Sequence, residues 1–191
     1  MVSSQLSTGA LMIRAAKIKL VLTDCDGVLT DGAVYYSSRG EEMRRFSVVD
    51  GMGVQLLRAQ GIEVGIISGE NSEIIRRRAE KLRLDPVFLG IESKLECARE
   101  IITERGLNAE HVAYIGDDTN DLPLMRFLHS SGLTGCPSNA HEQLFPFAHY
   151  QTARAGGHGA FREFANMILS CRGHIITDEP VIPNIEEVQT Q

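Results

Sequence analysis

Cysteine is scarce in this chain and poorly placed for pairing. Its four cysteines, Cys25, Cys97, Cys136 and Cys171, lie far apart with no C-x-x-C pair. That spacing argues against a disulfide framework or a zinc site and fits a reducing cytoplasm. Long apolar runs are missing as well: none approaches the roughly 20 residues that a membrane-crossing helix needs. Positive charge is not in excess. The net charge of -6 offers no general attraction for nucleic acid or an anionic membrane. An anionic substrate would therefore have to be held by local cations and backbone N–H groups. The opening "MVSSQLSTGALMIRAA" lacks a basic start followed by an apolar block, so no signal peptide is expected. Internal repeats and low-complexity blocks are also absent. The expectation is a cytoplasmic protein whose partners include neither nucleic acid nor membrane.

What is present is ordinary globular material, 43% hydrophobic and 23% charged over 191 residues. One domain with a single core is expected over 17–173, with flexible tails at 1–16 and 174–191. Apolar, β-rich runs recur at Ile18–Thr23, Ile62–Ile67, Pro86–Leu89, Val112–Ile115 and Leu133–Gly135. Helical spacing fills most of the gaps. Met52–Ala59 stops at Gly61, Ser72–Leu82 follows Asn71 as a cap candidate, Lys94–Arg105 is closed by Gly106, and Asp121–Leu128 comes after a strand tip. Strands alternating with helices predict an α/β fold, a Rossmann-like parallel sheet with helices on both faces. Ligands of such sheets sit beyond the carboxyl ends of the strands.

One insertion breaks the alternation. The stretch "GAVYYSSRGEEMRRFSVVDG" reads as extended runs Ala33–Ser37 and Glu42–Val48 around a turn at Ser38–Gly40, a projecting β-hairpin. An isolated hairpin is marginal in water, so its Tyr35, Tyr36 and Phe46 suggest packing against something, such as another subunit. Further on, Gly156–Gly159 forms a Gly-rich loop before a final amphipathic helix.

The chemistry gathers at strand ends. The first run delivers Asp24 and Asp26, the second ends at Ser68-Gly69, a helix start carries Lys94, and "GDDTND" brings Asp117, Asp118 and Asp121. Each alone has an ordinary reading: a turn, a cap, a solvated lysine, acids favoured by a helix dipole. Together, in this order, they read as one pocket for a metal and a phosphate. Crowded carboxylates resist ionising together unless a cation sits among them, and magnesium favours a few carboxylates, water and a phosphate oxygen.

Asp24-Cys25-Asp26-Gly27-Val28, Ser68-Gly69, Lys94 and Gly116–Asp121 resemble the four motifs of the haloacid dehalogenase-like superfamily, over about 18–169. The resemblance implies Mg2+, an aspartyl-phosphate intermediate, and these roles. Asp24 is the nucleophile and a metal ligand. Asp26 is the general acid and then base, with its carbonyl on the metal. Ser68 bonds a phosphoryl oxygen, Lys94 balances charge and orients Asp24, and Asp117 completes the metal shell with Asp118 and Asp121 nearby. The second acid, Asp26, marks a phosphatase, since members that release halide or pump ions lack it.

Only a hairpin, a helix and a strand fit between Asp26 and Ser68, and only a helix and a strand between Lys94 and Asp117, so no cap domain is expected. The hairpin, "FSVVDGMGV", "RRRAEKL" and "GGHGAFRE" are similar to the capless octulosonate 8-phosphate phosphatase branch. That similarity implies a sugar-acid phosphate monoester as substrate and a homotetramer with packed hairpins. It also implies Arg78 on the sugar acid, with Ser47, Asp50 and Gly51 lining the pocket alongside Asp26, Glu70 and Lys94. His158, between glycines, is read as loop architecture. The branch commonly carries arginine where this chain has Val49, Gln55 and Glu70, and Glu70 with Lys81 resembles the nonulosonate 9-phosphate branch. The alternatives are that second substrate, a non-catalytic scaffold partner of a sugar-activating enzyme, or a phosphatase of larger substrates.

Overall fold

The computed structural model describes residues 6–173. In chain order the elements are α1 (Thr8–Ala15), β1 (Leu20–Thr23), β2 (Thr30–Ser37), β3 (Gly40–Phe46), α2 (Val48–Ala59), β4 (Glu63–Ile67), α3 (Glu73–Leu82), β5 (Val87–Phe88), α4 (Lys94–Glu104), β6 (Val112–Ile115), α5 (Leu122–His129), β7 (Leu133–Cys136), β8 (Tyr150–Gln151) and α6 (Ala160–Cys171). Six strands form one parallel sheet in the order β5-β4-β1-β6-β7-β8, while β2 and β3 pair antiparallel as a separate hairpin.

The sheet's strands are apolar on both sides because both sides are covered. Side chains alternate along β1, so Val21 enters one layer while Leu20 and Leu22 enter the other. The first layer packs Val54 and Leu57 of α2, Ile75 of α3 and Phe161, Phe164 and Ile168 of α6. In the second are Ala98 and Ile101 of α4 with Leu124, Met125 and Leu128 of α5. Between Asp26 and Ser68 lie the hairpin, α2 and β4, with no cap domain.

Several boundaries differ from the sequence reading. The hairpin's second strand ends at Phe46, and Val48 already belongs to α2, which starts four residues before Met52. Two valines in a row read as strand, yet the Ser47 hydroxyl accepts the Val49 N–H and caps the helix. For α3 the cap is Ser72, not Asn71. The segment expected as a flexible N-terminal tail holds α1: Ala15 is fully buried, Arg14 donates to the carbonyls of Ser130 and Gly132, and Arg172 donates to the carbonyls of Ala15, Ala16 and Ile18. The tail expected at 174–191 lies outside the described residues. No helix among the described residues is long and apolar enough to cross a membrane.

Phe164 is fully buried against Gly135, where an added Cβ would come within 2.6 Å of its ring. Phe164→Ala is expected to cost about 3–5 kcal/mol. Urea titration should show this as a lower midpoint with an unchanged slope.

Candidate active site

Strand order decides which residues meet. In the register, Thr23 of β1 lies beside Ile66 of β4 and Ile115 of β6. The residues just past these neighbouring tips, Ser68, Asp24 and Asp117, therefore emerge side by side. They line a cleft of about 390 Å³ with Asp26, Glu70, Asp118 and Asn120.

Lys94, the first residue of α4, reaches under the cleft. Its Nζ lies 2.7 Å from Asp24 Oδ1 and 2.6 Å from Asp121 Oδ1, with only 2% of its side chain exposed. Burial alone would lower the pKa of such an amine, but Asp24 and Asp121 outweigh it and the ammonium is retained. Asp121 is fully buried, and both its oxygens are committed. Oδ1 also accepts the Tyr114 hydroxyl at 2.6 Å; Oδ2 accepts the N–H groups of Asp117 at 2.8 Å and Asp118 at 3.2 Å. It positions the others rather than facing the cleft.

Carboxylate oxygens of Asp24, Asp117 and Asp121 lie within 4.8 Å of one another. With Asp121 occupied by Lys94, Tyr114 and backbone, Asp24 and Asp117 are the pair that could hold a shared metal ion. Burial pushes the Asp24 carboxyl up to about 7, helped by Asp121 and opposed by Lys94. Burial also pushes Asp117 up to about 8, with Asp24 and Asp121 adding to the rise. Two acids so destabilised as anions, beside hard oxygen donors, suit a small dication such as Mg2+. The chain keeps the space clear: a Cβ on Gly27, whose φ is +83°, would meet Asp117 Oδ2 at 1.9 Å.

Ser68 is 1% exposed and its Oγ accepts the Glu70 N–H at 3.1 Å, leaving the hydroxyl hydrogen to donate into the cleft. Asp26 reaches the cleft from the loop after β1, accepts from Thr30 Oγ1 at 3.2 Å, and pairs with the Arg44 guanidinium. The Gly-rich loop closes on this turn. The Gly157 N–H donates to the Val28 carbonyl at 2.9 Å, and a Cβ on Gly156 would overlap the Gly27 carbonyl at 1.7 Å. His158 braces that loop, with Nε2 2.7 Å from Arg45 Nη2 and Nδ1 2.8 Å from the Gly156 carbonyl.

Four expected sugar-binding residues stand elsewhere. Ser47, Asp50, Gly51 and Arg78 line a separate crevice with Leu29, Phe46 and Leu82. Ser47 caps α2. Asp50 is 1% exposed and accepts the N–H groups of Gly159 at 3.1 Å and Arg162 at 3.0 Å, satisfying the start of α6. Arg78 lies over the Phe46 ring and donates to the Ser47 carbonyl at 3.0 Å, closing against Gly51. Within the chain Ser47 and Asp50 serve as caps and Arg78 stacks, with its buried Nε lacking a hydrogen-bond partner among the described residues. Glu70 does reach the rim of the cleft, and its carboxylate lies 3.4 Å from Arg44. The sequence reading missed Arg44, Tyr114 and Thr30, because a hairpin arginine beside Arg45 and a strand tyrosine carry no local mark of a site.

A strand-tip carboxylate gripped by a buried ammonium, beside a second acid and a dication site, is a phosphoryl-transfer site on a Rossmann-like sheet. The haloacid dehalogenase-like hydrolase family model matches residues 49–129. The chain is 40% identical over 156 residues to 3-deoxy-D-manno-octulosonate 8-phosphate phosphatase KdsC of Yersinia pestis, covering 82% of each chain. Among solved structures it is similar to the Moraxella catarrhalis 3-deoxy-D-manno-octulosonate 8-phosphate phosphatase in complex with magnesium, phosphate and KDO. That likeness has a TM-score of 0.82 and 35% identity over 87% of this chain and 94% of that one. The cobalt-bound Haemophilus influenzae phosphatase is similar at a TM-score of 0.79 and 38% identity, over 84% and 92%. The chain belongs to the haloacid dehalogenase-like hydrolases, in the family of these octulosonate 8-phosphate phosphatases.

The two raised carboxyls fix the sign of a pH effect. Their folded pKa values of about 7 and about 8 exceed the roughly 3.9 of an unfolded Asp. The metal-free fold therefore binds protons more tightly and loses stability as pH rises through that window. Melting of the metal-free protein should fall from pH 6 to pH 8.5, while the rise caused by added Mg2+ should be larger at pH 8.5, where no proton has to be displaced. Asp117→Asn should flatten the first trend and remove most of the second, read by dye-based thermal shift.

Proposed function

We propose that this protein is a phosphoric monoester hydrolase that uses Mg2+ to release phosphate from 3-deoxy-D-manno-octulosonate 8-phosphate, through a phosphoryl group carried on Asp24. The observation that carries the reading is the meeting of Asp24, Lys94 and Asp117 at adjoining strand tips, in a chain so similar to phosphatases of that name.

In this reading a carboxylate oxygen of Asp24 attacks phosphorus, and the ester P–O bond breaks with its electrons going to the sugar oxygen. Asp26, as the general acid, gives that oxygen a proton. The free sugar acid leaves, and an aspartyl phosphate remains. Asp26, now a carboxylate, takes a proton from water as the water oxygen attacks phosphorus. The bond to Asp24 breaks, inorganic phosphate departs, and both carboxyls return to their starting states. Lys94 holds Asp24 in line and balances charge on the phosphoryl group, and Ser68 donates to a phosphoryl oxygen. Bound through Asp24, Asp117 and the Asp26 carbonyl, Mg2+ supplies charge neutralisation for the phosphoryl oxygens. Glu70, at the rim, faces the sugar. One domain carries all of this.

The exposed apolar surface supports a homotetramer. Tyr35, Tyr36 and Met43 of the hairpin and Val48, Val49 and Met52 of α2 all face solvent, more than a lone monomer usually displays in one region. Cys25, Cys97, Cys136 and Cys171 are all free thiols, which supports a cytoplasmic setting.

Asp24→Asn should cut kcat by at least about 10³-fold in a magnesium-dependent phosphate-release assay. The wild type should prefer octulosonate 8-phosphate over nonulosonate 9-phosphates and hexose phosphates by more than about tenfold in kcat/KM, or roughly 1.4 kcal/mol; equal rates would overturn the substrate assignment and leave the phosphatase. Sedimentation should give a mass near four times the 21.0 kDa chain, reduced by the double change Tyr35→Glu, Tyr36→Glu.

A further inference from the structure

Asp26 is gripped from the hairpin by a residue to which the reaction above gives no part. Arg44 stands on β3 opposite Val34, with only 1% of its side chain exposed. A guanidinium that buried needs partners in several directions. It has three: Nη1 pairs with Asp26 Oδ2, Nε with Glu41, and Nη2 with Glu70 at 3.4 Å. The other oxygen of Asp26, Oδ1, accepts from Thr30 Oγ1, and that hydroxyl oxygen in turn accepts the Gly32 N–H at 3.1 Å. Side chains of β2 and β3 thus stand against both oxygens of the acid, a hydrogen bond from Thr30 on Oδ1 and an ion pair with Arg44 on Oδ2.

We infer that Arg44 is a positioning residue for proton donation: by holding Asp26 Oδ2 from the hairpin, it aims the carboxyl at the leaving oxygen of the phosphate ester. This rests on the assignment of Asp26 as the acid in the proposed reaction. The ion pairs of Arg44 are with Asp26, Glu41 and Glu70, not with the carboxylates of Asp24 or Asp117. The hairpin thereby does part of the work that an enclosing domain would otherwise do. It orients a reacting group from outside the sheet, and misplacing such a group by about 1 Å can cost on the order of 10²-fold in rate.

The leaving group separates this role from a structural one. An alkyl phosphate needs its oxygen protonated as the ester bond breaks, whereas p-nitrophenolate departs readily as an anion. The ratio of kcat/KM for octulosonate 8-phosphate to that for p-nitrophenyl phosphate reports only steps up to formation of the aspartyl phosphate. Arg44→Met should lower the sugar ester's kcat/KM by about 10–100-fold and that of p-nitrophenyl phosphate by less than about threefold. Arg44→Lys should restore part of the ratio. If Arg44→Met does not fold, Thr30→Val, which releases the other oxygen, carries the same test.

Equal losses on both esters, or a lysine variant no better than methionine, would overturn the inference. Asp26→Asn is the control that tells the two failures apart. If it too shows no preference between esters, Asp26 is not the proton donor and the underlying reading fails. If it discriminates while the Arg44 and Thr30 variants do not, only the role of the hairpin fails.

Discussion

A single buried ammonium allows the acids of this site to coexist. Lys94 lies between Asp24 and Asp121 at hydrogen-bond distance from each, almost without water. Left unpaired, any one of these charges would cost several kcal/mol in the interior. The arrangement is worthwhile because each partner also has a second task. Asp121 spends its remaining lone pairs on Tyr114 and on the backbone that presents Asp117. Asp24 keeps one oxygen for Lys94 and turns the other toward the cleft. Burial, with Asp121 adding to it, raises the pKa values of both Asp24 and Asp117, and a dication between them would offset that cost.

This centre constrains the fold around it. Three adjacent parallel strands must end at the same height, and the β4-β1-β6 register does this. Backbones must also approach very closely at the cleft floor, where Gly27 passes Asp117 and Gly156 meets the Gly27 carbonyl. The hairpin, anchored by Arg44 on Asp26 and by Arg45 on His158, shapes the remaining side. No inserted domain covers the opening, which fits a small substrate walled in by neighbouring subunits in the proposed tetramer.

Legibility in the sequence followed the range of the interactions. The strand-tip positions of Asp24, Ser68 and Asp117 could be read because a buried parallel strand leaves a contiguous apolar run ending in polar residues. Lys94 could be read from its place at a helix start in a fixed order of motifs. Helix caps were partly legible: Ser72 lay one residue from the expected position, whereas Ser47 was hidden inside what looked like a strand. The part played by Asp50 could not be read, because its partners Gly159 and Arg162 lie more than a hundred residues away. The stacking of Arg78 could not be read either, since nothing local shows that Phe46 will pass beneath its guanidinium.

By itself, the order of apolar runs, glycines and acids determined a parallel α/β sheet whose strand tips carry Asp24, Ser68 and Asp117, and its motifs carried the resemblance to a phosphoryl-transfer family, because those features are written at short range in a fixed spacing. Only the tertiary structure decided that Arg44 belongs beside Asp26, that Asp121 is a buried support rather than a cleft-facing acid, and that Asp50 meets the start of α6 while Arg78 stacks on Phe46. Those outcomes depend on which distant side chains compete for the same hydrogen bonds once the chain is packed, and spacing along a sequence carries no record of that competition.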